Sequence, residues 1–83
     1  MKSKYRVQFR RHPRWHRATP KDLLWRASKH HRPGNDLDAM KDDLRESAET
    51  TRIHAHRPDS IIVPTVWRIV NRRGVVIFQT RFF

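Results

Sequence analysis

The sequence predicts a two-layer α+β domain, an antiparallel or mixed sheet of three to five strands with two helices on one face, in the order β-α-α-β-β with a carboxyl-terminal hairpin. Three observations predict it. The chain opens on an alternation of Tyr5, Val7 and Phe9 with Lys4, Arg6, Gln8 and Arg10. A near-neutral middle carries capping residues and an apolar stripe at helical spacing. The last third is rich in β-branched and aromatic residues around Asn71-Arg72-Arg73-Gly74.

Taken in order, the first strand places an apolar row on one face and a cationic row on the other. His12-Pro13-Arg14-Trp15-His16-Arg17 has no sustained period and contains a residue that cannot donate to a ladder, so it reads as a basic loop. Thr19-Pro20-Lys21-Asp22 supplies an N-cap, a proline at the first helical position and a carboxylate three residues after the cap, which starts helix one. Leu23, Ala27 and His30 share its inner face, Leu24 borders them, Trp25 projects to the opposite side, and Pro33-Gly34 ends it. Asn35 or Asp36 caps helix two, whose Leu37, Met40, Leu44 and Ala48 fall within a narrow arc. Residues 51–55 return to alternation, Pro58-Asp59-Ser60 makes a turn, and Pro64 marks Ile61-Ile62-Val63 as an edge or a strand start. Val66 to Val70 and Val75 to Phe83 are strands joined through Asn71 and Gly74, whose positions fit a type I turn closed by a left-handed glycine. Val75-Val76-Ile77-Phe78 is apolar on both faces, as in a central strand or one covered by another chain. In this arrangement Tyr5, Val7 and Phe9 meet Trp67, Ile69, Val76 and Phe78 beneath the helices. Arg6, Gln8, Arg10, Arg68, Gln79 and Arg81 look the other way, interleaved with Val66, Val70, Val75 and Ile77.

Eighty-three residues allow one small domain, residues 1–83, and exclude a large enzyme with an interdomain cleft. Nineteen Lys and Arg stand against eight Asp and Glu, a net charge of +11 with the histidines neutral. The charge is not uniform: residues 1–21 carry eight basic and no acidic side chains, residues 22–49 five against seven, and residues 50–83 six against one. Basicity therefore belongs to the two strand-forming ends. There is no cysteine, which excludes disulfides, a Cys-ligated zinc and a thiol nucleophile. No apolar run is long enough for a membrane span and the amino terminus has no secretory signal, so a soluble cytoplasmic protein without cofactor is expected. The first 21 residues are acid-free, as transit peptides are, but alternate like a strand.

A cationic sheet face beside a basic loop suits nucleic acid, because neutralising phosphates releases condensed counterions and gives affinity without base reading. The residues expected to carry it are Arg6, Arg10, Arg14, Arg17, Arg68, Arg72, Arg73 and Arg81, with Trp15 as a stacking platform or folded onto the core. Asp38, Asp42, Glu46 and Glu49 form one acidic stripe on helix two. It reads as a solvated face or as a contact for a basic patch, with Phe82 and Phe83 as an apolar end that a homodimer or another protein would cover. The partner is thus RNA, DNA or an acidic protein surface.

Six histidines fall in three pairs: His12 with His16, His30 with His31, and His54 with His56. On a strand, His54 and His56 would project on the same side and approach a zinc geometry, but no third ligand has recognisable spacing, so no metal is expected. His30 and His31 would favour the carboxyl end of helix one. A ribonuclease without metal would use His54 and His56 as acid and base and Arg52 on the scissile phosphate. The order of elements resembles that of small toxins that cut messenger RNA on the ribosome, and no residue motif accompanies it, so no catalytic residue is carried over. Two glycines and no serine-nucleophile motif argue against nucleotide hydrolysis. The leading expectation is a non-catalytic nucleic-acid-binding protein. The alternatives are a small phage or mobile-element type of interaction protein that inhibits a host protein, and the ribonuclease toxin.

Overall fold

A computed structural model describes residues 3–13, 17–55 and 63–80. Strand β1 (Tyr5–Arg11) is followed by a 3-10 turn (Pro20–Leu23), strand β2 (Arg26–Ala27), helix α1 (Leu37–Ala55) and strands β3 (Thr65–Asn71) and β4 (Val76–Gln79). The strands form one antiparallel sheet in the order β2-β1-β3-β4. Among the described residues this is an α+β fold with one α-helix rather than two. No helix among the described residues is long and apolar enough to cross a membrane.

The amino-terminal alternation forms β1 as its pattern predicts. It pairs with β3 along its whole length, Val7 opposite Ile69 and Phe9 opposite Trp67. Helix α1 starts where Asp36 Oδ1 accepts a hydrogen bond from the Ala39 amide at 3.2 Å. Its inward stripe meets the sheet in a core of Val7, Met40, Leu44 and Ile69, flanked by Tyr5, Leu37, Trp67 and Phe78. Leu44 and Ile69 are completely buried. The β3–β4 turn closes as its residues predict: Gly74 has a φ of 80°, and Asn71 Oδ1 accepts from the amides of Arg73 and Val75 at 2.9 and 3.0 Å.

Helix one does not form. The cap at Thr19 is real, since its amide and hydroxyl both donate to Asp22 Oδ2 at 2.9 Å, but the chain makes one 3-10 turn and leaves at Leu24 with extended dihedrals. A helix over residues 20–32 would bury little beyond Leu23 and Ala27. The extended path instead pairs Arg26 and Ala27 with Phe9 and Gln8, donates the Ser28 amide to Val7 O at 3.0 Å and bridges Gly34 to Tyr5. Edge pairing of β1 outweighs the local helix signal.

Residues 51–55 are the last turns of α1, not a strand. Thr51 is buried and extends the inward stripe, and Arg52 pairs with Glu49 on the outer side of the helix. Strand β4 is an edge, so the expectation of a central strand fails, and Val76 does not reach the core. A register shift opposite Ile69 and Val70 pairs Val76 with Val70 and leaves Val75, Val76 and Ile77 40–54% exposed. Phe9 also stands apart from the core, with the guanidinium carbons of Arg11 and Arg26 5.4 and 5.9 Å from its ring centre. Val63 and Pro64 precede β3, while residues 61–62 lie outside the described residues.

Candidate nucleic-acid interface

Alternation along β1 and β3 decides which side chains face away from α1. The register sets Arg6 opposite Val70, Gln8 opposite Arg68 and Arg10 opposite Val66 on that outer face, and Gln79 of β4 lies opposite Arg68. Gln8 and Arg68 meet across the strands, with Arg68 Nε donating to Gln8 Oε1 at 2.7 Å. Val66 and Val70, which flank this pair along β3, are buried.

Trp25 completes this surface, a place that the helical reading of residues 20–32 did not anticipate. Because the chain is extended through Leu24, Trp25 lies beside β1 rather than on the far side of a helix. The guanidinium carbon of Arg68 sits 4.1 Å and that of Arg10 4.8 Å from its ring centre. Each contact is worth about 0.5–2 kcal/mol, and together they hold two long side chains in fixed places. Burial, reinforced by the charge of Arg10, pulls the Arg68 guanidinium below its ordinary pKa. Arg10 Nε is buried without a hydrogen-bond partner.

A second basic group lies at the end of the sheet nearest the hairpin. Ser3, Lys4, Arg6, Pro33 and Arg72 line a hollow of about 470 Å³, and Lys4, Arg72 and Arg73 share a neighbouring one of about 260 Å³. Arg72 Nε reaches towards Ser3 O at 3.5 Å. The structure thus brings Arg6, Arg10 and Arg68 onto one face and Arg72 and Arg73 to its end. Arg17 is exposed in the connection leading to the 3-10 turn. Arg14, Trp15 and Arg81 lie outside the described residues.

The carboxylates are elsewhere. Asp38, Asp42, Glu46 and Glu49 are exposed on α1, on the opposite side of the sheet. Among the described residues the ion pairs are Asp22 with Arg26, Asp42 with Arg45 and Glu49 with Arg52. The last lowers the Glu49 pKa, chiefly through its hydrogen bond to Arg52. The acidic stripe is therefore relieved partly by arginines three residues on along its own helix. Phe82 and Phe83, proposed as its apolar companion, lie outside the described residues.

The histidines are arranged differently from the sequence expectation. His54 falls within α1 rather than on a strand. His56 itself lies outside the described residues, and Arg52 is engaged by Glu49. His30 and His31 cap no helix. His31 Nδ1 lies 2.8 Å from Ser28 Oγ and its Nε2 3.2 Å from Ser47 Oγ, with its ring edge-on to Trp67 at 6.0 Å. This chain of contacts fastens the segment after β2 to α1. The adjoining groove, about 550 Å³, has Asp43 and Glu46 on its wall and so repels phosphate. Among the described residues no three His, Asp or Glu side chains gather as metal ligands do.

Burial lowers the His31 pKa, against an opposing pull from Asp43 and in the same direction as the nearby His30 charge. The folded state therefore holds His31 neutral while the unfolded chain protonates near the ordinary imidazole value of about 6.5. Its contribution is fully present above that pH and is lost as the pH falls through the lower folded value. Urea midpoints measured between about pH 5 and pH 8 should decline on the acid side, and His31→Asn should flatten that decline. An unchanged pH profile in the variant would show that His31 is not its source.

Comparison with known protein families, with curated proteins and with solved structures finds no match for this chain.

Proposed function

We propose that this protein is a non-catalytic nucleic-acid-binding module that engages the phosphate backbone through the outer face of its sheet. The observation that supports it is the separation of charge by the sheet. Arg6, Arg10 and Arg68 project from one face with the described carboxylates of α1 on the other, and the basic hairpin residues Arg72 and Arg73 extend the cationic surface. A field of one sign on one face attracts a polyanion to that side and orients it. Arginine rather than lysine dominates this face, and its planar fork takes phosphate oxygens in pairs. Apolar Val66 and Val70 keep the strands beneath it dry.

Binding should be steeply dependent on salt. Four phosphates engaged by Arg6, Arg10, Arg68 and Arg72 would give a log–log slope of about −3 for single strands and about −3.5 for duplex DNA. Fluorescence anisotropy with labelled 20-mers of RNA, single-stranded DNA and duplex DNA, titrated at several salt concentrations, measures the slope and the preferred form together. A flat salt dependence, or no binding at low salt, would reject this function. The exposed apolar residues Val75, Val76 and Ile77 on the β4 edge favour a second reading, a protein that pairs with another chain to block it. That reading requires a stable one-to-one protein complex whose affinity is insensitive to salt.

A further inference from the structure

We propose that Arg10 and Arg68, braced against Trp25, form a built site for a single phosphate group, the anchor point of the cationic face. The site rests on the nucleic-acid reading for its source of phosphate. Neighbouring strands bring two like charges to one indole, at 4.8 and 4.1 Å from its ring centre. Neither guanidinium is in an ion pair with a carboxylate among the described residues. Such an arrangement is unfavourable while empty and improves when an anion arrives, because the anion removes the repulsion between the two arginines.

Two further features make the pair a receptor rather than a crowded surface. Gln8 Oε1 holds Arg68 Nε at 2.7 Å, which fixes the plane of the fork and leaves its terminal nitrogens to donate elsewhere. Arg10 Nε is buried and has no hydrogen-bond partner, a donor separated from water and not yet satisfied by protein. Because Nε is closed to solvent, an anion meets Arg10 through its terminal nitrogens. Little has to be ordered on binding, since Trp25 and Gln8 already restrain both side chains. The ligand is a phosphate and not a base, because arginines already stack on the indole where a base would stack. Two guanidinium groups also offer more donors than one carboxylate can accept, whereas a phosphate has oxygens for both.

The test uses a 12-nucleotide strand carrying either a 5′-hydroxyl or a 5′-phosphate, and inorganic phosphate as a third probe. Equal affinity for the two strands places an internal phosphodiester in the site. A preference for the 5′-phosphate places a terminal phosphate there. In either case Arg10→Gln and Arg68→Gln should each weaken binding about tenfold and reduce the salt slope by about 0.7. Arg10→Lys and Arg68→Lys, which keep the charge and the aliphatic stem, should recover only part of the loss and serve where a Gln variant does not fold. If folded variants bind as tightly as the parent, the site is overturned while the outer-face function stands. If the parent binds neither strand, that function falls and inorganic phosphate decides the site alone. A change in tryptophan emission on adding phosphate, lost in Trp25→Phe and in Arg10→Gln, keeps it as a site for free phosphate, and no change removes it.

Discussion

Leu44→Ala is expected to cost about 3–4 kcal/mol of folding stability. Leu44 is wholly buried in the core that joins α1 to the sheet, with Met40, Val7 and Ile69. Removing its branched end leaves a cavity that one helix on a four-stranded sheet has no second layer to fill. A domain of this size has on the order of 4–12 kcal/mol to lose, so the variant should be close to unfolding at room temperature. Urea denaturation followed by tryptophan emission measures it. Ile77→Ala, on the exposed part of β4, is the matched control and should change stability by no more than about 0.5 kcal/mol. A Leu44→Ala cost below about 1 kcal/mol would mean that α1 is not packed as described.

Reversing two charges on the outer face should abolish most nucleic-acid binding, and reversing two on the helix side should not. Arg6→Glu with Arg68→Glu is expected to weaken oligonucleotide binding by roughly a hundredfold or more, about 2.7 kcal/mol, by removing two phosphate contacts and putting repulsion in their place. Lys41→Glu with Arg45→Glu changes the net charge by the same amount. These side chains lie against Phe78 on the α1 side, at 5.8 and 5.3 Å from its ring centre. With a screening length of about 8 Å at physiological salt, charges behind the sheet contribute weakly to a ligand in front of it, so a loss of threefold or less is expected. Filter binding or anisotropy at 150 mM salt gives the comparison. Equal losses in the two pairs would show that net charge alone drives binding and that the outer face has no privileged role.

Much of the fold was legible where one periodicity had no rival. The alternation at Tyr5, Val7 and Phe9 produced β1, the arc of Leu37, Met40 and Leu44 produced α1, and Asn71 with Gly74 produced the hairpin. The failures occurred where a local signal competed with pairing partners distant in sequence. Thr19 to Asp22 carries the marks of a helix start and forms that first turn, but the open edge of β1 then captures Arg26 and Ala27. Residues 51–55 alternate and so look strand-like, yet they continue α1, where Thr51 is buried and the preceding Thr50 Oγ1 donates to Glu46 O at 3.1 Å. The cationic row Arg6, Arg10 and Arg68 was readable because face follows from period two. Trp25 was not, since its position depends on the lost helix becoming an edge strand.

The β3–β4 turn divides its work between residues that shape the chain and residues that display charge. Asn71 and Gly74 set the path, through two amides received by the Asn71 side chain and one left-handed glycine. Arg72 and Arg73 lie between them, and the contact Arg73 makes to the turn uses its backbone amide rather than its side chain. Position 73 is therefore a place where the strength of a cationic surface can be adjusted by substitution while the path of the turn is left intact, whereas the Arg72 side chain also reaches the backbone at Ser3.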